Sequence, residues 1–349
     1  MGTTLTFEHQ SYSQRVVFGA GAARTGLAAE VERLGARRVL LVAARSAGGI
    51  TPELTAGLPL AGQVDDVRMH VPVEVAAAAR QRAGQTGADL LLAVGGGSAT
   101  GTAKAVALTT GLPIVAVPTT YAGSEVTPVW GLTENGRKTT GVDERVLPRT
   151  VVYDPELTRT LPRELSIASG LNALAHCVDS LWAPRANPVD TALALEGARA
   201  LAEGLPLVHA DPGGLDGRSA MLYGAYLGAL AFAGAGSGLH HKICHVLGGA
   251  YDLPHAQTHA AVLPHVLAFN APAAPEAARR LARALEADDA SAALDRLYTA
   301  VEAPRSLRAL GLPEDRIPEA AALIVEAAPP SNPRLVTQPD AERLLRAAF

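Results

Sequence analysis

Four short aliphatic runs, each closed by glycine, proline or hydroxyl-bearing residues, restrict what the first 155 residues can become. They are RRVLLVAA (37–44), ADLLLAVGGGS (88–98), LPIVAVPTT (112–120) and RTVVYDPEL (149–157). A strand that is apolar at successive positions is buried on both faces, as in a parallel sheet covered by helices. The amphipathic stretch RTGLAAEVERLGA precedes the first run, and helical stretches separate the others. Strand–helix alternation of this kind builds βαβ units and a Rossmann-like parallel sheet.

The pattern changes near residue 155. Five helical stretches follow, punctuated by Pro162, Pro188 and Pro212-Gly213-Gly214: PRELSIASGLNALAHCVDSLWA, NPVDTALALEGARALAEGLPLV, GRSAMLYGAYLGALAFAG, APEAARRLARALEA and IPEAAALIVEAA. At 349 residues the chain exceeds the usual size of one core, and 48% apolar residues supply two. We therefore expect an α/β dinucleotide-binding domain over 1–155 and an all-α domain over 156–349, with the active site in a cleft between them. The uncharged run from Ser219 to Leu239 is long enough to span a bilayer. It is rich in Ala and Gly and stands alone, so it reads as a helix buried inside a domain.

Charge and cysteine usage exclude several classes. Net charge is −4 with Lys and Arg scattered, so there is no basic stripe for nucleic acid. Two cysteines, Cys177 and Cys244, make neither a disulfide framework nor a cysteine-based zinc site, which points to the cytoplasm. No basic segment followed by an apolar one opens the chain, so no signal peptide is expected. MGTTLT is too weak an acylation match to adopt.

Two turns and one histidine-rich segment carry the chemistry. Gly95-Gly96-Gly97-Ser98 ends a strand and opens a helix, where free N–H groups and the helix dipole suit a pyrophosphate. Its spacing is not the common G-x-G-x-x-G, and a plain strand-to-helix turn has the same look. VPTTYAGSE (117–125) also follows a strand and offers Thr119, Thr120, Tyr121 and Ser124 as hydrogen-bonding groups, or as an ordinary Ser/Thr turn. Asn172 and His176 are spaced i, i+4, as are His241 and His245, so each pair shares a helix face. His240, His241, His245, His255, His259 and His265 fall within 26 residues, a density that points to metal, proton transfer or anion binding.

On these motifs, and on YDPELTRTLP (153–162), the chain resembles the iron-containing alcohol dehydrogenase family, with its dehydroquinate-synthase-like fold. The resemblance runs over nearly the whole chain. Within the family it is most similar to the maleylacetate reductases, through PTTYAGSEVTPVWGLTENGRKTTG (118–141), VLPRTVVYDPELTRTLP (146–162), SGLNALAHCVDSLWA (169–183) and LHHKICHVLGGAYDLPHAQTHAAVLPH (239–265). Metal-dependent members hold iron or zinc with one Asp and three His, and the matching positions here are Asn172, His176, His241 and His255. Asn172 is the departure: a neutral amide is a weaker ligand for a hard dication than a carboxylate. Gly101 is a second, standing where metal-dependent members carry Asp. Both departures are shared with the maleylacetate reductases, so the resemblance implies a vestigial site and no required metal.

It further implies reduction of the carbon–carbon double bond of maleylacetate to 3-oxoadipate by NADH or NADPH, in aromatic-compound degradation. Hydride addition to this dianionic enone leaves negative charge on the ketone oxygen, which needs a donor, and a proton must reach the adjacent carbon. His176, His241, His245 and Lys138 are the catalytic candidates. His255, Lys242, Tyr121 and Asn172 are substrate-binding candidates, with Arg137 a further carboxylate donor. Gly95, Gly96, Gly97, Ser98, Thr119, Thr120, Ser124 and Lys138 are cofactor candidates. His240 and Lys242 lie about 100° to either side of His241 on a helix, and Lys242 is ranked above His240 as its companion. No acid follows VLLVAA, where Arg45 and Ser46 stand instead; this allows NADPH as well as NADH. The competing readings are a metal-dependent alcohol dehydrogenase or carbonyl reductase, and a non-redox lyase or cyclase of the dehydroquinate-synthase type. A homodimer built through TLTFEHQSYSQRVVFG is expected, with neither nucleic acid nor membrane as partner.

Overall fold

The computed structural model describes residues 5–134 and 137–349, with side chains for all of these except Ser46, Arg137 and Lys138. The side chain of Lys138, a candidate for both catalysis and cofactor binding, therefore lies outside the described residues, as do that of Arg137 and the Met1–Thr4 start of the acylation match.

The first part of the chain runs β1 (Arg15–Phe18), α1 (Ala22–Arg33), β2 (Val39–Val42), α2 (Thr51–Leu54), β3 (Leu60–Val64), α3 (Val73–Thr86), β4 (Leu90–Gly95), α4 (Gly97–Thr110), β5 (Ile114–Pro118), β6 (Val129–Glu134), β7 (Arg137–Val142) and β8 (Thr150–Tyr153). Among the described residues, six strands form one parallel sheet in the order β1-β8-β5-β4-β2-β3, and β6 and β7 form an antiparallel hairpin. The aliphatic runs are the inner strands β2, β4, β5 and β8, buried at every position. Successive side chains of a strand point to opposite faces. Leu90, Leu92 and Val94 accordingly pack with Leu27 and Val31 of α1, while Leu91 and Ala93 pack with Ala79 and Ala83 of α3 and Val106 of α4. The edge strands β1 and β3 keep exposed positions.

The second part is helical: α5 (Arg163–Ser180), α6 (Pro188–Ala210), α7 (Leu215–Ala235), α8 (Leu239–Tyr251), α9 (His255–Asn270), α10 (Pro275–Ala284), α11 (Ala290–Ala300), α12 (Ile317–Ala327) and α13 (Gln338–Ala348). From Ser166 to Ser180 every residue of α5 is buried. The apolar run from Ser219 is not one helix: it breaks at Gly236–Gly238, where α7 and α8 bend by 98°. Among the described residues no single helix is long and apolar enough to cross a membrane.

The chain divides into two compact units. One comprises Ser13–Pro162 with Asp211–Leu222, the other Arg163–Ala210 and Tyr223–Phe349 with the residues up to Tyr12. The division falls at 162, not 155, and the first unit borrows a later segment. Arg218 supplies the physical reason. Fully buried, it donates Nη1 to the Tyr121 hydroxyl (2.9 Å), Nη2 to the Leu161 carbonyl (3.1 Å) and Nε to the Pro212 carbonyl (3.0 Å). The pair His9 and Asp190 (3.4 Å) holds the N-terminal segment within the helical unit.

A second buried cation shapes the loop after β5. Lys104 of α4 donates to the carbonyls of Ser124 (2.6 Å), Thr127 (2.7 Å) and Val129 (2.7 Å). Burial pulls its pKa down to about 7, and the nearby Glu125 pulls it up. Three carbonyl acceptors demand three N–H donors, so the ammonium is the form this geometry fits. Lys104→Met keeps the stem and strands three carbonyls; it is expected to cost about 3 kcal/mol or more in unfolding free energy, measured by denaturant titration. A variant within about 0.5 kcal/mol of the parent contradicts this role.

Candidate active site

In the α/β unit, the glycine loop and the Pro-Thr-Thr turn close the neighbouring strands β4 and β5, where Gly95 pairs with Pro118. The Thr119 N–H donates to the Gly95 carbonyl (3.0 Å). Gly95 has φ +145°, a conformation open to glycine and strained for other residues. Gly96 is the N-cap of α4 and offers no side-chain cap. Gly96, Gly97, Ser98, Thr119, Thr120 and Ser124 are half-buried. An uncapped helix start on a flat glycine surface suits a phosphate, so these residues fit the pyrophosphate of a dinucleotide. Tyr121 is different. It is fully buried, and its hydroxyl is engaged by Arg218 and by Thr158 (3.4 Å). That position makes it a support of the loop and does not favour the expected contact with substrate.

In the helical unit, α5, α8 and α9 bring the histidines together. His176 of α5 and His241 of α8 stack with ring centroids 4.8 Å apart and planes 12° apart, and Phe232 of α7 lies against both at 5.0 and 4.3 Å. His259 of α9 is 4.8 Å from His241 and 4.4 Å from His255. His245 is exposed, one turn beyond His241, at 6.3 Å. His240 and not Lys242 turns inward: it is buried, with Nε2 3.0 Å from Nδ1 of His259, whereas Lys242 stands half-buried. That reverses the expected ranking of the two.

Asp179 organises this cluster, and sequence reasoning passed over it. It follows Asn172 and His176 at i+7 and i+3, so it continues their face of α5, a spacing visible in NALAHCVD. Completely buried, it accepts the backbone N–H groups of Gly238 (2.9 Å), His240 (3.3 Å) and His241 (3.4 Å), the first turn of α8. It also accepts from Nδ1 of His241 at 2.8 Å. A Cβ on Gly238 would sit 2.4 Å from Asp179 Oδ1, so only glycine lets the helix start come this close. Burial pushes the carboxyl up to about 7, and the backbone donors pull it down. With three N–H groups and a helix start aimed at it, we take Asp179 as the carboxylate and His241 as the Nδ1–H partner.

The imidazoles are held neutral. Burial lowers His176 to about 4 and His240 to about 3, and lowers His241 and His259 well below the ordinary value near 6.5. Among the described residues, the buried atoms Asn172 Oδ1, His176 Nδ1 and His241 Nε2 find no hydrogen-bond partner.

Of the four positions that the resemblance assigns to a cation site, Asn172 brings an amide and no carboxylate, and among the described residues His176, His241 and His255 are not a trio whose ligand atoms all come within 4.8 Å of one another. Among the described residues, the trio whose ligand atoms come within 4.8 Å of one another is His240, Cys244 and His259. There His240 Nε2 and His259 Nδ1 are already engaged with each other, and burial raises the Cys244 thiol well above its usual range, away from the thiolate a metal takes. Position 101 is closed too: a Cβ on Gly101 would lie 2.8 Å from Val71 Cγ2.

Two family models match the chain: iron-containing alcohol dehydrogenase over residues 13–155, and the C-terminal part of the Fe-containing alcohol dehydrogenase family over 166–349. A maleylacetate reductase of Sphingobium indicum is 48% identical over 346 residues, 99% of this chain and 97% of that one. An iron-containing alcohol dehydrogenase of Corynebacterium glutamicum superposes with TM-score 0.98 at 54% identity, covering 99% of this chain and 98% of that one. A maleylacetate reductase of Agrobacterium tumefaciens does so with TM-score 0.94 at 41% identity, covering 99% of both.

The neutral cluster makes the fold acid-sensitive. A histidine whose folded pKa is depressed takes up its proton only on unfolding as pH falls below 6.5, so stability present above 6.5 is lost towards pH 4. Asp179 works the other way, since its folded pKa of about 7 lies above the ordinary 3.8. His265 is depressed as well, and burial also raises the carboxyls of Glu125 and Asp190, so five histidines stand against three carboxyls and outweigh them. The denaturation midpoint is therefore expected to fall between pH 7 and 5; a constant or rising midpoint contradicts the neutral cluster.

Proposed function

The chain belongs to the iron-containing alcohol dehydrogenase family, and from that premise we propose that it is a maleylacetate reductase working without a catalytic metal. The substrate reading is supported by near full-length similarity to proteins of that name. One observation carries the metal-free part: Asn172 sets a neutral amide where a carboxylate would hold a hard dication, while His241, braced through Nδ1 by the buried Asp179, is left to act as a donor through Nε2.

Gly95, Gly96, Gly97 and Ser98 would hold the pyrophosphate of a nicotinamide dinucleotide, with Thr119, Thr120 and Ser124 beside it, and the dinucleotide would supply the hydride. The histidines manage the charge that the hydride leaves behind. Maleylacetate carries two carboxylates and gains an enolate oxygen, so negative charge accumulates where the histidines stand. An opposite charge raises the pKa of a neighbouring imidazole. Substrate binding thus favours the imidazolium at His241, which burial disfavours in the free protein. Asp179 stabilises that imidazolium and fixes its tautomer, as the buried carboxylate does in a Ser-His-Asp triad. His241 Nε2–H then donates to the enolate oxygen and supplies the proton that ends on the adjacent carbon. One hydride and one proton convert maleylacetate to 3-oxoadipate. His176, stacked on His241, fixes the plane of its ring. His245 stands exposed one turn away, placed to return a proton from solvent. Asn172 offers an uncharged amide to a substrate carboxylate, where an Asp would repel it.

The test is NADH oxidation with maleylacetate, with 3-oxoadipate identified as product. His241→Ala is expected to lower kcat by roughly a hundredfold or more and to leave dinucleotide binding unchanged. Asp179→Asn is expected to lower kcat and shift its pH profile while KM for the dinucleotide stays put. Undiminished turnover in His241→Ala removes the residue from the mechanism. Failure of the parent protein to oxidise NADH with maleylacetate removes the substrate.

A further inference from the structure

We propose that Arg45 and Arg68 set the choice of cofactor: the cleft they line receives the adenosine ribose, and the two guanidiniums bind a 2′-phosphate when one is present. This rests on the nicotinamide-dependent reading above and names residues for it.

The fold places the cleft. β2 has β3 on one side and β4 on the other. The chain passes from β2 to β3, then crosses β2 to reach β4, so the strand order reverses at β2. In doubly wound sheets ligands sit outside the carboxyl ends of the strands at such a reversal, with the pyrophosphate at the glycine loop and the ribose at the end of the next strand over. Here the glycine loop follows β4. Beyond β2 and β3 lies a cleft of about 410 Å³ lined by Ala44, Arg45, Asp65, Asp66, Val67 and Arg68.

Its charges form two loose pairs. Arg45 Nε donates to Asp65 Oδ2 at 3.0 Å. Arg68 donates Nε to Asp66 Oδ1 (2.8 Å) and Nη2 to Asp66 Oδ2 (3.0 Å). The side chains are 82% and 46% exposed in the first pair and 58% and 51% in the second. Ion pairs this exposed contribute little, so each guanidinium is released at little cost. A 2′-phosphate brings nearly two charges and three acceptor oxygens in a geometry that planar guanidiniums match. An unphosphorylated ribose makes no such demand. The pairs then stay closed, and Asp65 has lone pairs left to accept from the 2′-hydroxyl. The cleft therefore carries both an acid for the ribose of NADH and bases for the phosphate of NADPH. The acids come from the end of β3, one strand beyond the end of VLLVAA.

Nucleotides without a nicotinamide test this separately from turnover. ADP and adenosine 2′,5′-bisphosphate are titrated into the full chain by calorimetry, alongside NADH and NADPH. The parent is expected to bind all four. The double variant Arg45→Ala, Arg68→Ala should weaken the bisphosphate and NADPH by about tenfold or more, with ADP and NADH within about threefold. Asp65→Asn should weaken NADH and strengthen NADPH. The bisphosphate's advantage should also shrink as salt is raised. Equal loss for phosphorylated and unphosphorylated nucleotides, or none for either, overturns the assignment. Should the parent bind neither nucleotide, the cofactor reading itself fails; NAD(P)H binding without maleylacetate reduction fails the substrate reading alone.

Discussion

Asp179 is the group on which the helical unit depends. A buried carboxylate is costly unless donors surround it, and here four do: the Gly238, His240 and His241 N–H groups and the His241 ring. Those bonds fix where α8 starts. The start of α8 fixes where His240 and His241 point, and hence the stack on His176 and the pairing with His259. The break between α7 and α8 follows from the same constraint, because the chain must bring an uncapped helix start and a side-chain-free Gly238 up against α5. One residue of α5 thereby ends one helix run, begins another and orients the candidate catalytic ring.

The α/β unit uses buried cations in the same way. Lys104 and Arg218 spend their donors on carbonyls of turns, at residues 124, 127 and 129 and at 161 and 212. The turns so held are those that follow β5, precede α5 and join α6 to α7. Buried charge fixes backbone here, and the residues left for ligands are backbone N–H groups and small hydroxyls. The charges at the ends of β2 and β3 are the opposite case: exposed, weakly paired and free to change partner.

Much of the fold was legible. The four aliphatic runs contain β2, β4, β5 and β8, because a strand buried on both faces has no choice but to be apolar. The edge strand β3 carries no such mark, being the half-exposed LAGQV, whereas β1 lies within the N-terminal strand region TLTFEHQSYSQRVVFG. The 219–239 run was read as one helix because hydropathy does not register a break made of Gly-Ser-Gly. In the site, His176, His241, the i, i+4 spacings and His259 as one of six clustered histidines are visible in the sequence, while Asp179, Lys104, Arg218 and the pairing of His259 with His240 are not. Their roles depend on partners 19 to 97 residues away, and single charged residues on a helix look alike until those partners are known. Tyr121 was assigned by its neighbours in sequence, and Arg218, far along the chain, has already claimed its hydroxyl.

The central claim is that the Asp179–His241 pair does the work that a cation does in metal-dependent relatives. The measurement that tests it most directly is the rate of maleylacetate reduction by NADH in protein stripped of iron and zinc, taken beside the metal content per chain. The account predicts an unchanged rate at a metal content far below one per chain. A rate that vanishes on stripping and returns with added iron or zinc would contradict it.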